Sequence, residues 1–254
     1  MNGPAASACP AGKRTTAATN AGIAHVKILF IINSRDYWAL GGFIDSDSMH
    51  PQSGARHERE TTDLDRDIEQ LERELREKEQ ELARMRRRRP AEFVGDFILR
   101  GPGDTAVALS SLFGDRHDLI VVHNMGSRCP YCTLWADGFN GVLPHLLDRT
   151  SFAVVSPDTP DVQQRFTVSR GWKFPMYSNA DSGFTEAMGF TVEHDGRTYY
   201  KPGCSTFRRQ DDGAIMRIAQ VQFGPGDVYC APWHLFSLLA EGSGDWEPSF
   251  RYDG

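Results

Sequence analysis

The feature that most constrains the fold of this chain is a strand–loop–helix pattern around two cysteines, in residues 118–137. Residues 119–122 form an unbroken apolar, β-branched run, which is typical of a strand covered on both faces. A glycine and a serine then interrupt the pattern. Pro130 fits the first turn of a helix, where its missing N–H costs little. We therefore expect Cys129 beside a helix N-terminus and Cys132 one turn further along the same side.

This placement predicts a redox-active dithiol. Unpaired N–H groups and the dipole at a helix N-terminus favour a thiolate, and the neighbouring Arg128 adds positive charge. Cys129 is the expected attacking thiolate, and Cys132 would resolve the mixed disulfide. The two residues between them, Pro130 and Tyr131, are the pair found in glutaredoxins, and such intervening residues tune the redox potential.

A metal site and purely structural cysteines remain as alternatives. Structural zinc needs four ligands, usually from a second Cys-x-x-Cys or a closely spaced His pair. The remaining candidates are His123, His145, Cys204 and Cys230, and they form no such pair. We favour the redox dithiol, which requires neither a metal nor a cofactor.

Composition narrows the cellular context. The 254 residues carry a formal net charge of -6, so the chain lacks the basic signature of nucleic-acid binding. Five scattered cysteines are too few for a disulfide-stapled secreted scaffold and favour a reducing cytoplasm. The apolar run at residues 26–32 is far shorter than the roughly 20 residues of a membrane span. We therefore expect a cytoplasmic protein with no membrane or nucleic-acid partner.

The N-terminal part differs from the rest. Residues 1–57 contain polar stretches rich in Ala, Thr, Ser and Gly, which predict a disordered extension. A small accessory hairpin and a later start at Met49 are the alternatives.

Residues 58–90 predict one long, charged, amphipathic helix, which covers 61–89 and ends at Pro90. Its apolar residues follow a narrow heptad-like stripe for about three heptads. This stripe consists of Leu64, Ile68, Leu71, Leu75, Leu82 and Met85. The helix is expected to pack on its own domain or to form a homodimer. A non-catalytic interaction protein that uses this helix is therefore the second functional hypothesis.

Residues 91–254 alternate between strand and helix patterns, and Gln210-Asp-Asp-Gly213 predicts a hairpin near the end. This order predicts an α/β fold with a mixed sheet flanked by helices. With Cys-x-x-Cys at the end of a buried strand, it resembles the thioredoxin fold. We expect residues 91–254 to form one thioredoxin-like domain after the helix.

Four blocks narrow the resemblance, at residues 112–115, 129–141, 171–175 and 233–236. The chain is similar over roughly 61–252 to the DUF899 family of thioredoxin-like, peroxiredoxin-related proteins. The resemblance implies a dithiol–disulfide oxidoreductase, and a disulfide-containing protein or a small thiol is the expected substrate. The peroxiredoxin motif itself is incomplete: aligned on Cys132, Met125 and Cys129 stand where that motif has Pro and Thr.

The resemblance also suggests supporting residues. Buried carboxylates serve as proton acceptors in this fold, so Asp137 is a candidate partner of Cys132, although it could equally be a surface acid or a local cap. Thioredoxin-like sites carry a proline loop facing the dithiol, and here Cys204 or Ser205 occupies that position. Cys204 could be a third redox partner, although a small buried hydrophobic residue is its more ordinary role.

Overall fold

The computed structural model describes the backbone of residues 51–252 and the side chains of residues 61–252. The chain divides after residue 62, and the second unit, residues 63–254, is compact. Residues 1–50 of the extension predicted for residues 1–57 lie outside the described residues. Within 51–252, no helix combines the length and the apolar character needed to cross a bilayer.

The second unit alternates helices and strands. The α-helices of residues 51–252 are α1 (Pro51–Arg88), α2 (Pro130–Arg149), α3 (Pro160–Arg170), α4 (Phe184–Ala187) and α5 (Ala231–Phe236). The strands are β1 (Glu92–Val94), β2 (Ile98–Arg100), β3 (Ala106–Ala108), β4 (Asp118–His123), β5 (Ser151–Ser156), β6 (Met176–Ser178), β7 (Thr191–His194), β8 (Arg197–Tyr200), β9 (Gly203–Arg209) and β10 (Ile215–Gln222). Short 3₁₀ helices cover Pro102–Asp104 and Leu109–Phe113.

Eight strands form one mixed sheet in the order β1-β10-β9-β4-β5-β6-β2-β3. At its centre, β4 runs parallel to β5 and antiparallel to β9. The predicted hairpin is β9–β10, with a register irregularity between Arg217 and Ala219. This topology confirms the predicted thioredoxin-like mixed sheet flanked by helices.

Each face of the sheet has its own buried cluster, because successive side chains of a strand point to opposite faces. In β4, Val121 belongs to the cluster with Phe184 and Phe207, whereas Val122 belongs to the cluster with α2. The α2 face contains Cys132, and the dithiol is therefore built into the second cluster.

Helix α1 begins at Pro51, earlier than the predicted start, and ends at Arg88. The six apolar residues of its stripe are between 46% and 64% exposed. Near its end, the half-buried Arg86 donates a hydrogen bond to the Tyr229 hydroxyl at 3.2 Å. Among the residues that the structure describes, the predicted stripe is therefore exposed, and near its C-terminal end the helix contacts its own domain through Arg86, four residues after Leu82.

Three elements were not expected from the sequence: β1, β3 and the separate two-stranded sheet β7–β8. The β7–β8 turn contains Asp195 and Gly196 with φ of 49° and 68°. This positive-φ pair fits a tight hairpin turn, for which Asp-Gly is a known signature.

Candidate functional site: the Cys129–Cys132 dithiol

Cys129 lies at the N-cap of α2, where its sulfur accepts a hydrogen bond from the Cys132 backbone N–H at 3.1 Å. Pro130 is the first residue of the helix, as predicted, and because it has no N–H, no backbone donor at that position is left without a partner. The Cys129 carbonyl accepts bonds from the Thr133 backbone N–H and from its hydroxyl. The start of the helix thus directs backbone N–H groups at the Cys129 sulfur.

The two sulfurs have opposite acid–base character. The pKa of Cys129 is lowered to about 7, first by a hydrogen bond from the Cys132 side chain and then by the backbone N–H groups of Cys132 and Tyr131, against the opposing effect of burial. The pKa of Cys132 is raised by the same hydrogen bond, by burial and by the nearby Cys129 charge. As the pH rises through about 7, Cys129 therefore ionises first, and Cys132 stays the thiol that donates to it.

Solvent access follows the same division. Cys129 is half-buried, whereas Cys132 is 2% exposed. The Cys132 sulfur also accepts a weak bond from the Met125 backbone N–H at 3.4 Å. Of the two sulfurs, Cys129 is thus the one that solvent can reach.

The loop between β4 and α2 depends on two side chains that the sequence analysis did not single out. Asn124 accepts from the Gly126 N–H at 2.7 Å and donates to the Cys132 carbonyl at 3.4 Å. Asp158 accepts from the Ser127 N–H at 2.6 Å. An Asn two residues before a glycine at a strand end is a recognisable turn signal, but nothing local points to Asp158, which follows the next strand.

Gly126 is required by this geometry for two reasons. Its φ is +105°, which side chains rarely adopt. A Cβ there would also lie 3.0 Å from the Asp158 carboxylate.

The neighbours of the dithiol have distinct positions. Arg128 is exposed and is not among the groups that lower the pKa of Cys129, so the expected electrostatic help comes from N–H and S–H donors instead. Tyr131 is half-buried and stacks on Trp233, with ring centroids 6.3 Å apart. An aromatic surface thus lies beside the reactive sulfur.

Asp137 has a different set of partners from the one expected. Its carboxylate forms an ion pair with Arg170 and accepts from the Trp172 indole N–H at 2.7 Å. No contact described in the structure joins it to Cys132. Asp137 therefore ties α2 to the end of α3, and the proposed proton-acceptor role has no geometric support.

Cys204 and Ser205 are adjacent on β9 and point to opposite faces of the sheet. Ser205 is buried and bonds His123 Nε2 at 3.0 Å, where burial lowers the pKa of His123 to about 3. His123 also stacks on Phe190, with ring centroids 4.1 Å apart, which makes it a core histidine.

Cys204 lies on the α2 face of the sheet, where it is the cross-strand partner of Val122 in β4. Burial raises the pKa of Cys204 to about 11. It lines a separate cavity that includes neither Cys129 nor Cys132. The structure thus brings together Cys129, Pro130, Tyr131 and Cys132, while Cys204 remains an unpaired thiol in a different wall.

The metal alternative can be compared with the donor set. Among residues 61–252, no group of three or more His, Cys, Asp or Glu side chains could hold a metal ion. The described donors beside Cys129 are N–H and S–H groups, which suit an anion and not a cation.

Several solved structures are similar to this chain. Peroxidoxin BcpB from Mycobacterium tuberculosis is 22% identical over 52% of this chain and 84% of its own, with a TM-score of 0.42. Reduced Prx3 in complex with H₂O₂ from Vibrio vulnificus is 15% identical over 54% and 88%, with a TM-score of 0.44. Neither likeness bears on activity. No curated protein is significantly similar to the chain.

The family comparison covers most of the described residues. The pattern of DUF899, described as a bacterial protein of unknown function, matches residues 58–249, which include the long helix, the dithiol and the final aromatic block. The chain therefore belongs to the DUF899 family.

Proposed function

We propose that the protein is a thiol–disulfide oxidoreductase in which Cys129 is the nucleophile and Cys132 the resolving thiol. The observation that carries the proposal is the asymmetric pair itself: a half-buried sulfur with a lowered pKa accepts from a buried thiol with a raised pKa. This arrangement separates attack from resolution before any substrate binds.

The reaction balances within the pair and its substrate. The Cys129 thiolate attacks one sulfur of a substrate disulfide, the substrate S–S bond breaks, and the other sulfur leaves as a thiolate. Cys132 then gives its proton to that thiolate and attacks the Cys129 sulfur, which releases the second substrate thiolate. Two electrons pass to the substrate, and a Cys129–Cys132 disulfide remains. A second thiol compound must reduce this disulfide to complete the cycle.

The substrate class follows from the surroundings. Tyr131 and Trp233 form an aromatic surface beside Cys129, which supports a disulfide-containing protein or peptide with apolar flanking residues over a small polar disulfide. The exchange is proposed for the cytoplasm, where thiols are kept reduced. Fractionation that places the protein outside the cytoplasm would contradict that assignment.

The test uses the full chain and a model protein disulfide. Wild type should reduce it with a dithiol donor, Cys129→Ser should be inactive, and Cys132→Ser should accumulate a mixed disulfide visible by mass spectrometry. The matched control is Cys230→Ser, a buried cysteine outside the pair, which should retain activity. Equal rates for wild type and Cys129→Ser would refute the proposal.

We also propose that α1 pairs with a second copy of this chain in an antiparallel arrangement. The exposed apolar stripe supports pairing, since each buried leucine-sized side chain contributes about 1.5–3 kcal/mol. The distribution of charge along α1 supports the antiparallel direction of pairing. Residues 63–81 carry nine carboxylates against four cations, whereas residues 84–89 contain five arginines and no acid. Antiparallel helices place each basic end on the acidic part of its partner, whereas parallel helices place like charges together.

Sedimentation of the full chain tests this second proposal. Wild type should form a dimer that Leu71→Asp abolishes, while Gln80→Asp, which adds the same charge away from the stripe, should leave it intact. An antiparallel dimer should weaken as salt rises, because opposite charges are screened. A monomer at all concentrations would refute pairing, and a dimer strengthened by salt would refute its direction.

A further inference from the structure

An apolar cavity of about 280 Å³ lies on the α2 face of the sheet. Its hydrocarbon wall is formed by Ile120, Val122, Phe139, Leu146, Phe152 and Phe223. An engineered apolar cavity of roughly 150 Å³ in another protein is large enough to bind benzene. The present cavity is almost twice that size, so it can hold a chain of about ten non-hydrogen atoms.

One cation borders this apolar space. Arg86 of α1 lines the cavity and is half-buried, whereas Arg84, Arg87 and Arg88 on the same helix are exposed. Arg86 forms no ion pair with any residue of 61–252, and the residues one turn before it, Leu82 and Ala83, are apolar. A partly desolvated guanidinium without a carboxylate is unfavourable, and an incoming anion would remove that cost.

A second polar group lies next to the guanidinium. The Tyr229 hydroxyl oxygen accepts from Arg86 Nη1 at 3.2 Å, and its own proton remains available for donation. Guanidinium and hydroxyl together present two donors at one edge of the cavity, which matches the two oxygens of a carboxylate. The Cys204 thiol also lines the cavity, and it is kept neutral there by burial, which raises its pKa to about 11.

We propose that this cavity binds a medium-chain aliphatic carboxylate, with the alkyl chain against β4, β9 and α2 and the carboxylate on Arg86 and Tyr229. The hydrocarbon walls favour an alkyl chain as the ligand's tail. The single cation at the edge favours a head group with one negative charge. The proposal does not depend on the dithiol chemistry, because neither Cys129 nor Cys132 lines the cavity.

Calorimetric titration of the full, reduced chain with octanoate, decanoate and 1-octanol tests both parts. Each added methylene should strengthen binding about fourfold, so decanoate should bind about fifteenfold tighter than octanoate. Octanoate should bind about tenfold tighter than 1-octanol because of its charge-assisted hydrogen bonds. Arg86→Gln should remove this preference, whereas Arg87→Gln, an exposed neighbour, should preserve it.

A second measurement locates the ligand. Octanoate should slow alkylation of Cys204 but not of Cys230, a buried thiol that also has a pKa raised to about 11 and does not line the cavity. Peptide mass mapping distinguishes the two.

Three results would overturn the proposal. The first is no binding of either carboxylate, and the second is equal affinity for octanoate and 1-octanol. The third is binding that disappears as protein concentration rises, which would identify a second copy of the chain as the occupant. Because Arg86→Gln changes a residue near the surface, the head-group test does not require a substitution in the core.

Discussion

Replacing Cys132 with alanine should raise the pKa of Cys129, whereas replacing it with serine should keep that pKa low. An unperturbed cysteine has a pKa of about 8.5, and that of Cys129 is lowered to about 7. This difference corresponds to about 1–2 kcal/mol in favour of the thiolate, allowing for solvent screening at a half-buried sulfur. The side-chain hydrogen bond from Cys132 is the largest contribution. Its loss in Cys132→Ala should move the pKa up by about one pH unit, whereas the serine hydroxyl can still donate.

The assay is alkylation of the reduced protein by iodoacetamide between pH 5 and 10, followed by peptide mass mapping to isolate Cys129. The midpoint of the rate–pH profile is the measured quantity, because the intrinsic nucleophilicity of a thiolate changes with its pKa and would distort rates at one pH. Cys204 and Cys230 serve as internal controls, since burial raises the pKa of both to about 11. The same midpoint in wild type and Cys132→Ala would refute the argument, as would equal increases in both variants.

The remaining predictions concern stability and are measured by urea unfolding. The pKa of His123 is about 3 in the folded protein and about 6.5 in the unfolded chain, so its contribution to stability is complete above pH 6.5 and is lost as the pH falls towards 3. The free energy of unfolding should therefore fall by about 2 kcal/mol from pH 7.5 to 5. The His123→Gln variant should show a smaller decrease over the same range. Asp137→Asn should cost about 1–2 kcal/mol by weakening the link between α2 and α3, whereas the exposed Asp148→Asn should change stability by less than about 0.5 kcal/mol. Gly203→Ala should cost about 3 kcal/mol, because a Cβ there would overlap an aromatic ring and a β10 carbonyl, whereas Gly224→Ala meets no atom within 4 Å.

Those parts of the fold with strong local patterns were predictable from sequence. Three short patterns each predict the structure that they form: the apolar run at β4, the proline at the start of α2 and the Asp-Asp-Gly turn of the β9–β10 hairpin. The same holds for the order of the two cysteines, because a helix start distinguishes the first from the second.

Long-range pairing was not predictable in the same way. Strand β1 is only three residues long, and it pairs with residues 215–217 of β10, far along the chain. Asp158 acts on the Cys129 loop from the end of the adjacent parallel strand. Asp137 carries the acidic group that the fold suggests, yet its neighbours Arg170 and Trp172 determine what it does. In each case the deciding partner is distant in sequence.

In the proposed redox cycle, the hydrogen bond from Cys132 to Cys129 also affects the direction of electron flow. Stabilising the thiolate stabilises only the reduced protein, since the disulfide has no charge to stabilise. Above the pKa of Cys129, the couple is therefore more oxidising than one with an unperturbed thiol at the same pH. A two-electron couple that takes up two protons changes by about 59 mV per pH unit, and one that takes up a single proton by about half of that. With a pKa of about 7 for Cys129, the change of slope falls near neutral pH. Relative to a couple in which the cysteine pKa is unperturbed, the protein gains little oxidising power from the bond below about pH 7, and the gain grows with pH only up to the unperturbed pKa of about 8.5.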